Sequence, residues 1–203
     1  GPEVRGALGL DAGTPLLVHT GHSVREKGLP QQVELVRALP DVHLAMVGQQ
    51  QGVRDVEAAA RRAAVETRVH VLPTVPALEV PAFIRTANAA VIYMPPESVN
   101  ARYALPNKFF EAIAAGLPVA ISEGEEFRPL VQRYGIGVLF DPTDARAAVA
   151  AATEVLRNNG RYRDAVKIAA RDLNWQRESV AYLQVYRDLA AAQASEARPS
   201  FNP

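Results

Sequence analysis

The chain has 203 residues, 22 Lys+Arg balanced by 22 Asp+Glu, no cysteine, and 48% hydrophobic residues. Zero net charge argues against a broad electrostatic grip on nucleic acid or an anionic membrane. The lack of Cys excludes disulfides, thiolate nucleophiles and thiolate metal sites, and no apolar run approaches the roughly 18 residues of a membrane-spanning helix.

Short apolar runs alternate with helical patterns. The runs at 16–20 (LLVHT), 42–47 (VHLAMV), 68–72 (RVHVL), 89–94 (AAVIYM), 118–122 (PVAIS) and 136–140 (IGVLF) predict six strands, rich in Val, Ile and Leu and close to Gly or Pro. Helices are predicted between them at 31–38, 53–66, 80–86, 107–115, 125–134 and 144–158. The fourth of these patterns is the clearest: Pro106 precedes 107–115 and Gly116 follows it, the usual order for helix start and stop. Two more helices, 160–173 and 175–192, close the chain, the second with an apolar stripe of Val180, Leu183, Val185, Tyr186 and Leu189.

Continuous apolar strands separated by helices imply a mostly parallel sheet covered on both faces. The expected architecture is an α/β, doubly wound Rossmann-like domain with six strands and a C-terminal helical extension. Residues 1–173 form the domain, 174–195 a helix packing on it, and 196–203 a flexible tail. Ligands of such sheets bind outside the carboxyl ends of the strands, which directs attention to 21–30, 48–52, 73–78, 95–106 and 123–126.

Only three of the 22 basic residues are lysines: Lys27, Lys108 and Lys167. Against that bias, a Lys marks a place where a compact, rotatable ammonium is wanted. Lys27 lies in Gly21-His22-Ser23-Val24-Arg25-Glu26-Lys27-Gly28, directly after the first strand. Backbone N–H groups and point charges in such a loop suit a diphosphate, although an ordinary solvated turn has the same composition. Lys108 lies in Leu105-Pro106-Asn107-Lys108, at a helix start whose Asn107, Lys108 and Phe109 N–H groups are expected to face the ligand edge. A cation in the first turn opposes the helix dipole, a misfit that a bound anion would relieve. Glu111, one turn on, suits the vicinal hydroxyls of a ribose; the alternative is a carboxylate on a solvated helix face.

These blocks together resemble the C-terminal, nucleotide-sugar-binding domain of GT-B glycosyltransferases of the group 1 type (family four). The resemblance runs from LLVHTGHSVREKGL through RVHVLPTV and LPNKFFEAIAAGLPVAIS to NWQRESVAYLQVYRDL, and NKFFEAIAAGLPV is its strongest block. It implies that Lys27 and Lys108 stabilise the departing diphosphate. It implies further that Gly21, His22, Arg25, Val75, Leu105, Pro106, Asn107 and Glu111 bind the donor, with Val75 near the base and Glu111 on the ribose. His22 stands where the family usually has arginine, and Tyr103 where the first glutamate of E-x(7)-E falls.

The implied function is transfer of a sugar from a nucleoside-diphosphate donor, UDP- or GDP-linked, to an acceptor hydroxyl. The acceptor would be a glycan, a lipid-linked molecule or a small molecule. No cofactor or metal is required on this view, and no nucleic acid is bound. A GT-B enzyme needs about twice this length, so an N-terminal domain is the expected partner and the chain alone is expected to be inactive. The implied location is cytoplasmic, with membrane association at most peripheral, at the inner face. Two alternatives are a non-catalytic nucleotide-sugar or protein-binding module and half of a GT-B-like nucleotide-sugar epimerase. His19, His43 and His70 read as packed strand histidines, not metal ligands. Glu123, Glu125 and Glu126 read either as a solvated helix start or as the border of the donor pocket.

Overall fold

A computed structural model describes residues 3–21, 28–48, 52–94 and 99–196. The six apolar runs form β1 (Leu16–Thr20), β2 (His43–Val47), β3 (Val69–Leu72), β4 (Ala89–Ile92), β5 (Val119–Ser122) and β6 (Gly137–Phe140). All pair in parallel, in the order β3-β2-β1-β4-β5-β6. This is the doubly wound order in which the direction of winding reverses between β1 and β4.

The helices are α1 (Val4–Ala7), α2 (Leu29–Ala38), α3 (Val53–Arg62), α4 (Val80–Ile84), α5 (Val99–Tyr103), α6 (Asn107–Ala114), α7 (Arg128–Tyr134), α8 (Ala145–Arg157), α9 (Asn159–Asp172) and α10 (Trp175–Glu196). Strand residues alternate between two cores. Leu17, Leu44, Met46 and Val91 meet α2, α3 and α8 on one face. Leu16, Val18, Ile92 and Ile121 meet α1, α4, α6, α7 and α9 on the other. Burial on both faces explains why the strands read as unbroken apolar runs, since each fully buried Leu, Ile or Val stabilises by roughly 1.5–3 kcal/mol.

Helix α1 is not among the expected elements, and three others differ from expectation in ways that bear on the site. Helix α2 starts at Leu29, with Pro30 in its first turn, because Gly28 takes the left-handed conformation (φ 82°) that lets the chain enter there. Helix α5 lies within 95–106, where the Pro-rich composition predicts only loop. The stripe expected to dock 174–195 on the domain is instead exposed: Trp175, Val180, Tyr182, Leu183, Val185, Tyr186 and Leu189 all face solvent along α10. Of the expected tail, Glu196 ends α10, and 197–203 lie outside the described residues.

Several arginines have structural work that the composition does not announce. Arg68 Nη1 donates to the carbonyls of Val36, Leu39 and Val42 at 2.7, 2.8 and 3.0 Å, closing the C-terminal end of α2. Arg5 ties α1 down by donating to the carbonyls of Thr14 and Thr86 and to Asn88 Oδ1. At Arg5 the contacts come from Nε, Nη1 and Nη2, a planar spread of donors that an ammonium does not offer.

His43 and His70 are not isolated. Their rings lie 5.1 Å apart, nearly parallel, with His43 Nδ1 2.8 Å from His70 Nε2, so one ring donates and the other accepts. Burial holds both imidazoles below their ordinary pKa, aided by Arg68 at His43 and by His43 at His70. The unfolded chain therefore takes up protons that the native pair refuses. The pair's contribution is complete above the unfolded imidazole pKa of about 6.5 and is lost as pH falls through the lower native values. Thermal melts should show Tm falling with acid across this window, and His43→Gln with His70→Gln should flatten that part of the slope. An unaltered slope in the double variant would show that the pair contributes nothing.

Candidate functional site

The crevice where the sheet reverses lies at the carboxyl ends of β1 and β4, and it is reached by His19 and Thr20 of β1 and by Gly21, which follows it. Gly21 is also left-handed (φ 82°), its N–H donating to Val47 O at 2.8 Å, so the chain leaves β1 in a sharp turn. Helix α6 begins at the same edge. Pro106 has extended geometry (φ −73°, ψ 143°) and serves as its N-cap, with no side chain closing the first turn. Phe109, Ala112 and Ile113 bury one face of α6 against the sheet, which fixes its rotation.

That rotation brings two of the expected residues onto adjacent positions of β1. Glu111 Oε2 accepts a hydrogen bond from Thr20 Oγ1 at 2.6 Å. Lys108 Nζ lies 3.2 Å from His19 Nε2. His19 is 1% exposed, and its Nδ1 is 3.1 Å from the Val91 carbonyl of β4. Lys108 and Glu111 are both half-buried, whereas Leu105 and Asn107 are exposed and Pro106 is half-buried. One donor is not where the sequence puts it: the Phe109 N–H turns back to the Pro106 carbonyl at 2.9 Å, in a tight first turn, and does not face the ligand edge.

Val75 is elsewhere. It follows β3, the outer strand, and lines an apolar groove of about 670 Å³ with Leu72, Phe83, Ala7 and, at the rim, Glu79 and Arg85. His22, Arg25 and Lys27 lie outside the described residues. Tyr103 ends α5, 54% exposed, with the Arg102 guanidinium 5.3 Å from its ring centroid. Glu125 pairs with Arg102 at 2.9 Å and Glu123 with Arg128 at 2.6 Å. These exposed pairs are worth at most about 1 kcal/mol each, but they give the acidic loop after β5 partners within the protein. Among the described residues no group of three or more His, Asp or Glu side chains could hold a metal, and no helix is long and apolar enough to cross a membrane.

Thr20 and His19 are the site residues that sequence reasoning missed as such. Their signal was present: two polar residues close an otherwise apolar strand, at its ligand-facing end.

The sheet order, with a lysine and a carboxylate converging on its reversal point, defines a Rossmann-like α/β domain whose edge can hold an anion and hydroxyls. The chain belongs to the glycosyl transferases group 1 family, which matches residues 2–172. No curated protein sequence matches it significantly. Among solved structures it is similar to sucrose-phosphate synthase from Thermosynechococcus elongatus, with 26% identity and a TM-score of 0.75, covering 93% of this chain and 49% of that one. It is also similar to HepE of Anabaena in complex with UDP and glucose, with 17% identity and a TM-score of 0.70, covering 94% and 51%. A third is TarM of S. aureus, bound to UDP, with 12% identity, a TM-score of 0.69 and coverage of 87% and 35%. The chain spans about half the length of the first two. Its fold is thus one Rossmann-like half of the GT-B architecture.

Proposed function

We propose that this chain is the donor-binding half of a glycosyltransferase that moves a sugar from a nucleoside-diphosphate sugar to an acceptor hydroxyl. The observation that carries the proposal is the placement of Lys108 and Glu111, from one helix, at the reversal point between β1 and β4. An ammonium there faces the developing charge on a departing diphosphate, and a carboxylate accepts hydrogen bonds from a ribose diol. The solved relatives bound to UDP favour a uridine donor over a guanosine one.

The remaining roles follow from the family pattern. Lys27, with His22, Arg25 and Gly21, completes the phosphate site; Leu105, Pro106 and Asn107 approach the sugar; Val75 borders the base. Transfer needs the acceptor and a second domain across the cleft, and the exposed stripe of α10 is a surface such a domain would cover. The acceptor is a glycan, a lipid-linked molecule or a small molecule, met in the cytoplasm or at the inner face of a membrane.

Calorimetry of the chain with UDP, GDP and ADP, each with and without Lys108→Ala, tests this. One nucleotide should bind weakly, with about tenfold loss in the variant, the equivalent of one charge-assisted hydrogen bond. Equal affinity in both proteins would make Lys108 a surface residue. Absence of binding by all three, even with an N-terminal half supplied, would favour a non-catalytic module, the reading to which Tyr103 in place of a carboxylate also points.

A further inference from the structure

His19 is a buried polar residue in the central strand, and both its ring nitrogens have partners that fix its state. The Val91 carbonyl can only accept, so Nδ1, 3.1 Å away, carries the ring proton. Nε2 is then a lone pair, and the Lys108 ammonium 3.2 Å away can only donate to it. The imidazole is neutral in this arrangement and acts as a relay of position: β4 orients the ring, and the ring orients the lysine.

We propose that His19 is a positioning residue that fixes the Lys108 ammonium over the reversal point while leaving its charge intact. The proposal rests on the donor-site reading above and adds how that cation is held. Lysine has a long flexible stem, and tethering it before a ligand arrives removes an ordering cost that the ligand would otherwise bear. A carboxylate at position 19 would also tether the ammonium, but it would neutralise it and compete with a phosphate for it. A neutral acceptor avoids that conflict. Thr20, the next residue, does the equivalent for Glu111 from the opposite side of β1, so two consecutive strand positions set the two charged side chains of α6.

Two isosteric variants separate the ring's bonds. His19→Asn keeps a donor at the Nδ1 position for Val91 but has nothing for Lys108, whereas His19→Gln can place an oxygen where Nε2 was. Titrating the 203-residue chain with UDP and GDP should show affinity about five- to tenfold weaker in His19→Asn and restored to within about twofold in His19→Gln. In a Lys108→Met background the two substitutions should make no difference, because the partner is gone. Imidazole ¹⁵N spectra of the unliganded protein should show Nδ1 protonated, Nε2 unprotonated, and the Nε2 resonance moved by Lys108→Met. A protonated Nε2, or equal losses for Asn and Gln that persist without Lys108, would overturn the assignment to His19. Normal spectra with no nucleotide bound by the wild type would overturn the donor-site reading instead, and with it the purpose of the tether.

Discussion

Glu111→Ala should reduce nucleoside-diphosphate affinity by about 30- to 150-fold, which is roughly 2–3 kcal/mol, while the domain stays folded. The size follows from what the carboxylate offers. Thr20 engages Oε2, which fixes the group's direction and leaves Oε1 for a ligand. Hydrogen bonds to a charged acceptor contribute about 1.5–3 kcal/mol, and a vicinal diol can make two. Glu111→Gln should lose less, since an amide keeps one acceptor and can still be held by the threonine hydroxyl. Thr20→Val should lose least, about 0.5–1.5 kcal/mol, because the carboxylate remains but is no longer aimed. A 2′-deoxynucleotide is the decisive control. The wild type should discriminate against it, and Glu111→Ala should bind both nucleotides equally poorly. Undiminished discrimination in the alanine variant would remove Glu111 from the ribose.

The different fates of the sequence expectations have physical causes. All six strands were legible because burial on both faces demands continuous apolar runs, and parallel order followed from the helices between them. Strand ends moved by one or two residues: β4 stops at Ile92, although Tyr93 and Met94 continue the apolar run. Tyr93 is buried all the same, packed 5.7 Å from Phe140. Composition cannot separate a strand residue from one that merely follows it into the core. Helix α5 was hidden because five residues beside three prolines carry almost no periodic signal.

The site was legible in part, for a reason that lies in chain distance. Lys108 and Glu111 share one helix, so their spacing is local and visible. Their partners His19 and Thr20 stand 89 and 91 residues away in sequence. Nothing in the composition of β1 says which helix will reach it; that depends on the sheet reversing between β1 and β4. The same blindness affected His43 and His70, 27 residues apart, whose contact shows only once β2 and β3 pair. The scarcity of lysine singles out Lys108 in the sequence, but the composition gives no sign that Arg68 and Arg5 bind backbone carbonyls.

Gly28→Ala should be the most damaging single-methyl substitution near the site. Gly28 ends the eight-residue segment that starts at Gly21 and also caps α2, its carbonyl accepting from the Gln32 N–H at 3.0 Å. Two costs add. The left-handed φ of 82° disfavours any Cβ by about 1–2 kcal/mol. A Cβ would also stand 2.2 Å from Cδ1 of Tyr93, whose ring is buried and cannot simply swing away. Relieving such an overlap typically costs about 1–3 kcal/mol. The expected total is about 2–5 kcal/mol, or a Tm lowered by roughly 5–15 °C for a chain of this size. Tyr93→Leu should cost stability by itself, yet make Gly28→Ala less harmful, because only the steric part of the penalty depends on the ring. A fully additive pair would mean that backbone strain alone sets the cost. Nucleotide affinity, measured well below the melting range, should fall as well. In the sequence the stretch carrying His22, Arg25 and Lys27 runs directly into Gly28, and the same Tyr93 leads from β4 into the edge where Lys108 stands. Unchanged affinity in a destabilised Gly28→Ala protein would separate that segment from the donor site and leave Lys108 and Glu111 to bind the nucleotide without it.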